Sequence, residues 1–330
     1  MIDRRHVLAG GIAALATPAL ALETALQAAR DRATGFGRVR GLLVMQDGAP
    51  LLAKRLSGPR LDQPVNIKSV SKTIVATLTG IAIDRGVLSG VDATLGEVAP
   101  DVIPVGADPR VGQITIEDLV TLRAGLERTS GQNYGSWVSS SNWVANALAR
   151  PFVAEPGGRM LYSTGSTHVL GAAIAEASGE SLLTLTRDWL GGPLGIEVPA
   201  WTRDPQGYYL GGNEMALSVE ALGRFAEMIR RGGLWGETRV ISEAWIAASF
   251  APRTRSPWSG LDYGYGWFLG RAGDVPYALA RGYGGQVVVV APSIGVSIVI
   301  TSDPTRPARS IGYFGELQTL IERDILAVLA

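Results

Sequence analysis

Strand-forming sequence lies at both ends of this chain, and helix-forming sequence fills the middle. Residues 38–58, RVRGLLVMQDGAPLLAKRLSG, read as two strands around an Asp47-Gly48 turn. Near the C-terminus YGYGWFLG, RGYGGQVVVVAP and GVSIVITSD read as three consecutive strands. Val287 to Val290 is an unbroken apolar run, the pattern of a strand covered on both faces. Helices are predicted over 23–34, 70–86, 164–178, 181–190, 217–231, 242–249 and 315–329, with a short one over 114–126 that opens at Thr115. The polar, aromatic-bearing stretch 130–145 reads as a surface loop leading into a helix. This order suits an α+β fold in which the two chain ends build one antiparallel sheet. The α/β part is expected over about 22–75 and 255–330, and a mostly helical insertion over about 76–254.

The N-terminus reads as a targeting segment. Arg4-Arg5 precedes an uncharged run from Val7 to Leu22, and Ala19-Leu20-Ala21 has the small-x-small form of a cleavage site. The arginine pair resembles a twin-arginine signal, with an ordinary secretory signal as the alternative. Residues 1–21 are therefore expected to be a signal peptide, and the mature chain to be exported to the periplasm or beyond without a stable membrane span.

Composition removes several functions. The chain has no cysteine, so disulfides, thiolate metal sites and a cysteine nucleophile are excluded. Two histidines, His6 and His168, leave little for a histidine-rich metal site. Net charge is zero and no basic run exceeds a pair, which argues against a nucleic-acid partner.

Against 27 arginines stand three lysines, Lys54, Lys68 and Lys72. Lys72 follows Ser69 by three residues at a predicted helix start, and residues three apart share a helix face. A serine hydroxyl needs a base to become a nucleophile. Lysine serves as that base once burial lowers its pKa; arginine does not give up its proton. The plain alternative is a helix-capping serine beside a solvated lysine. Lys68 reads as structural or solvated. A Ser-His-Asp arrangement would have to use His168, which lies in a helix-period stretch, reads as a packed structural residue, and has no G-x-S-x-G elbow before it.

The segments around this pair resemble the class C β-lactamase-like serine hydrolases, the penicillin-recognising group that includes carboxypeptidases, esterases and amidases. Ser69-Val70-Ser71-Lys72 matches the first motif. GVLSGVDATLGEVAPDV and ITIEDLVTLRAGL match the segments that follow, and PGGRMLYSTGSTHVLGAAIAEASGESL matches the second-motif region. PLGIEVPAWTRDPQGYYLGG, ALGRFAEMIRRGGLWGETRVISEAW and the C-terminal GGQ turn are most similar to the 6-aminohexanoate-dimer hydrolase branch.

The resemblance implies a β-lactamase/transpeptidase-like fold with no metal and no cofactor. It implies that Ser69 is acylated and that Lys72 and Tyr162 form the proton network, the tyrosine serving as base and then protonating the leaving group. An oxyanion hole would be built from the Ser69 amide and the strand carrying Tyr283 and Gly284. Thr164 and Tyr134 would border the substrate. Two departures stand out. Thr164 replaces the asparagine of Tyr-x-Asn, and Arg281-Gly282-Tyr283-Gly284-Gly285 carries no lysine to grip a β-lactam carboxylate. Both argue against efficient β-lactam hydrolysis. The expected function is an exported hydrolase of a small ester or amide; the alternative is a weakly catalytic protein that captures a cell-wall or acyl ligand. Trp137 is a further candidate pocket residue. Trp258, Tyr263, Tyr265 and Trp267 read mostly as sheet packing.

Overall fold

The computed structural model describes residues 13–330. Most of the expected signal segment, residues 1–12, lies outside the described residues. Helix α1, Ala13–Gly35, begins earlier than the sequence pattern predicts. Leu26, Ala29 and Ala33, spaced three and four apart, are its buried face.

The two chain ends meet in one eight-stranded antiparallel sheet. Its strands are β1 (Val39–Gln46), β2 (Ala49–Arg55), β3 (Thr254–Arg255), β4 (Asp262–Tyr263), β5 (Phe268–Ala272), β6 (Val275–Gly282), β7 (Gln286–Ala291) and β8 (Val296–Ser302). Their order is β2-β1-β8-β7-β6-β5-β4-β3. The pairing of β1 with β8, Leu42 opposite Ile300, closes the ends together. The expected turn joins β1 to β2, with Asp47 at φ 50° and Gly48 at φ 81°; two successive positive φ angles suit a tight hairpin.

The apolar run of β7 is explained by two cores. Val288 and Val290 face the helical side, whereas Val287 and Val289 face α1 and the C-terminal helix, which runs from Tyr313–Thr319 through a π-helical stretch Leu320–Leu326. All four valines are buried. On the helical side lie α2 (Ser71–Asp84), α3 (Thr164–Ser178) and α4 (Val219–Arg230).

Two expectations need correction. RGYGGQVVVVAP is not one strand: β6 ends at Gly282, and Gly284 and Gly285, at φ 84° and 97°, turn the chain into β7. The body of β6 escaped the sequence reading because Pro276, which cannot donate to a ladder, sits inside it. The stretch 130–145 leads into a helix as expected, but the part before that helix is not all surface loop. It forms two short helices, Tyr134–Val138 and Trp143–Leu148, and Trp137 is fully buried, its indole N–H donating to the Trp143 carbonyl at 2.8 Å.

Candidate functional site

Ser69 sits on a single 3-10 turn, Lys68–Val70, that leads into α2. Local geometry there is unusual. Lys68 has φ 51°, a left-handed conformation that a side chain with a Cβ adopts at a cost of about 1–2 kcal/mol. Its neighbours hold it there. The Lys68 amide donates to Asn66 Oδ1 at 2.9 Å, its ammonium pairs with Glu214 at 2.9 Å, and Ser71 Oγ donates to the Lys68 carbonyl at 2.6 Å. Lys68 is thus an ion-paired structural residue. On the far side Gly282 of β6 presses on the turn: a Cβ there would lie 2.5 Å from the Ile67 carbonyl oxygen. Only glycine lets β6 approach the Ser69 turn so closely.

Lys72, one helical turn on, is 3% exposed and has no carboxylate partner among the described residues. Its Nζ lies 3.2 Å from Ser69 Oγ, 3.2 Å from Thr164 Oγ1 and 2.6 Å from the Gly212 carbonyl. Burial pushes its pKa down from 10.5 to about 7. A carbonyl can only accept, so Gly212 claims one N–H of the amine. Thr164 Oγ1 can take the second and still bond to Ser130 Oγ at 2.9 Å. The lone pair of the neutral amine is then free for the Ser69 proton.

Tyr162 forms the other wall. Its ring centroid is 5.0 Å from Lys72 Nζ, and Trp258 stands edge-on to it at 5.2 Å. Burial pushes the Tyr162 phenol above its ordinary value, opposed by a hydrogen bond with Ser69 and by the charge of Arg281. The phenol is therefore neutral near pH 7 and available as a proton donor.

These groups open into a cleft of about 980 Å³. Ser69, Tyr162, Thr164, Tyr134 and Tyr283 line it, and Lys72 lies beneath Ser69. Gly284 does not join them. It faces Asp303 and Pro304, its role being the turn between β6 and β7. Trp137 lies behind the cleft, against Trp143 and His168. Trp258, read from sequence as packing, lines the cleft and is 42% exposed; Tyr263, Tyr265 and Trp267 are core residues. His168 is fully buried against Asp204, away from Ser69.

Arg281 also lines the cleft, although its side chain leaves β6 on the face opposite Gly282 and stacks on Phe314 at 3.5 Å. Burial lowers its guanidinium to about 10, still a cation at neutral pH. The charged lining is Lys68 with its partner Glu214, plus Arg128, Arg281 and Arg309, a net positive wall.

Sequence reasoning missed the strip 212–215. Gly212 supplies the carbonyl on Lys72, Asn213 donates to Tyr134 Oη at 3.1 Å, Glu214 pairs with Lys68, and the Met215 amide donates to Ser71 Oγ at 3.3 Å. The Gly211-Gly212 pair ahead of polar Asn213-Glu214 was its available signal. Ser130 was missed too.

A sequence profile of the Beta-lactamase family matches residues 22–313. No protein of curated function matches the sequence. Among solved structures, EstCE1, a hydrolase with promiscuous acyltransferase activity, gives a TM-score of 0.75 at 19% identity, covering 94% of this chain and 98% of its own. A protein assigned as a 6-aminohexanoate-dimer hydrolase from Bacillus anthracis gives 0.72 at 14% identity, covering 88% and 79%. A penicillin-binding protein homologue from Caulobacter crescentus gives 0.70 at 17% identity, covering 91% and 97%. The fold is the β-lactamase/transpeptidase-like one that the motifs implied.

Proposed function

The chain belongs to the Beta-lactamase family, and on that premise we propose that it is a serine hydrolase that cleaves an ester or amide bond through a Ser69 acyl-enzyme. One observation carries the reading: a buried lysine with no carboxylate partner among the described residues, its Nζ 3.2 Å from a cleft-lining serine hydroxyl. At a pKa of about 7, about half of Lys72 is neutral at neutral pH. Lys72 takes the Ser69 proton as Oγ attacks the substrate carbonyl carbon. The amides of Ser69 and Tyr283 hold the developing oxyanion, each donor contributing on the order of a hundredfold or more in rate. Tyr162, neutral through burial, passes a proton to the departing alcohol or amine and recovers it from Lys72. Water then attacks the acyl-enzyme, releasing an acid and restoring the Ser69 hydroxyl.

Thr164 grips Lys72 but has no side-chain amide for the substrate, which favours esters and small amides over β-lactams. Arg4-Arg5 and Ala19-Leu20-Ala21 support export with cleavage after residue 21. No helix among the described residues is long and apolar enough to cross a membrane.

The test is intact-mass analysis after a fluorophosphonate probe, beside Ser69→Ala and a p-nitrophenyl ester assay. One adduct, lost together with ester turnover in the variant, is expected. An adduct without turnover would favour ligand capture instead. Absence of any adduct, or full activity in Ser69→Ala, would overturn the assignment.

A further inference from the structure

A buried chain of hydrogen bonds runs from Asp204 through His168 to the loop that touches Lys72. His168 lies on α3 four residues beyond Thr164, and its side chain and that of Asp204 are both fully buried. Trp137 and Trp143 stand edge-on to its ring at 5.8 Å each. Nε2 is 3.0 Å from Asp204 Oδ2, while Asp204 Oδ1 accepts from the Gln206 and Tyr208 amides at 2.9 Å. A carboxylate only accepts, so Nε2 carries the proton and Nδ1 is left as an acceptor. Nδ1 faces the Gly211 amide at 3.4 Å. The loop lies directly on α3, since a Cβ at Gly211 would be 2.4 Å from the Thr167 carbonyl oxygen. The carbonyl of the following residue, Gly212, is the one 2.6 Å from Lys72 Nζ.

We propose that His168 is a positioning residue for the reaction: fixed by Asp204 as the Nε2–H tautomer, it anchors the Gly211 amide and thereby aims the Gly212 carbonyl at Lys72. The inference rests on the Ser69–Lys72 reading above. Ser69, Thr164 and Tyr162 are the polar groups facing Lys72, and none is a carboxylate. Asp204 is the charged group facing His168. Lys68 with Glu214, Arg128, Arg281 and Arg309 line the cleft and stay unchanged in the variants below.

A carbonyl binds an ammonium more strongly than an amine. Loosening Gly212 therefore makes Lys72 give up its proton more readily and frees its lone pair from alignment with Ser69. Glutamine at 168 places an amide N–H near the Nε2 position and keeps the Asp204 bond, but offers nothing at Nδ1. Asparagine places its oxygen near Nδ1 and keeps the Gly211 bond, but releases Asp204.

For His168→Gln the expected result is a kcat lowered about tenfold with KM nearly unchanged. The acid limb of the kcat/KM profile should also move to lower pH by about half a unit or more. His168→Asn should keep the wild-type limb at a lower Tm. Profiles of both variants that superimpose on wild type, with only Tm reduced, would overturn the proposal. Histidine 15N NMR of the wild-type protein tests it even where a variant does not fold. An Nε2–H ring with an unprotonated Nδ1 is expected; an Nδ1–H ring, or a mixture of tautomers, overturns it. This readout is independent of turnover, so failure of the hydrolase reading in the Ser69→Ala comparison is distinguishable from failure here.

Discussion

Replacing Lys72 by methionine should abolish turnover and yet stabilise the protein, with a pH dependence of defined sign. Burial lowers the Lys72 ammonium from 10.5 to about 7. Between those values the unfolded chain binds more protons than the folded one, so wild-type stability rises with pH across that window and is lost as pH falls through it. Below about pH 7 the cost of the buried ammonium is fully present. The gap from 10.5 to about 7 corresponds to roughly 5 kcal/mol. Methionine matches the length of the side chain without its charge and has no such dependence. The substitution has its own cost, because the Gly212 carbonyl and Thr164 hydroxyl lose a donor, about 1–3 kcal/mol for a buried acceptor left unpaired. Thr164 keeps its Ser130 partner, so that cost falls on Gly212 alone, and net stabilisation of order 2–4 kcal/mol is expected near pH 6, fading and changing sign toward pH 10. Urea unfolding of both proteins at several pH values, followed by tryptophan fluorescence, measures it. A stability difference that stays constant within about 1 kcal/mol across that range would refute the argument, because Lys72 would then titrate alike in both states.

Two further outcomes are expected. The kcat/KM profile of the wild-type protein should have an acid limb near pH 7, where Lys72 gains its proton; a rate independent of pH from about 5 to 8 would assign the base elsewhere. Gly282→Ala should cost about 1–3 kcal/mol of stability and most of the activity, because its Cβ would meet the Ile67 carbonyl at 2.5 Å and push β6 off the Ser69 turn. Wild-type turnover in that variant would show that the approach is not needed.

Much of this molecule is readable before folding. The Asp47-Gly48 turn marked the first hairpin, apolar spacing marked the helices bearing Lys72 and His168, and apolar runs marked Val287–Val290 and the last strand, because each signal lies within one segment. Failures came where segments meet. Trp137 looked like a loop residue because its burial depends on Trp143 and His168. Pro276 hid β6 because its neighbours in the sheet, not its own propensity, hold it extended.

The same division runs through the site. Sequence by itself placed Lys72 three residues after Ser69 at a predicted helix start, where that spacing brings the two side chains together. Tertiary structure alone decided that this lysine loses its water and finds no carboxylate among the described residues. It also decided that Thr164 and Gly212, 92 and 140 residues further along the chain, supply its hydrogen bonds. A proton affinity is set by desolvation and by whichever groups lie within a few ångströms. Local spacing carries no record of groups brought in from that distance along the chain.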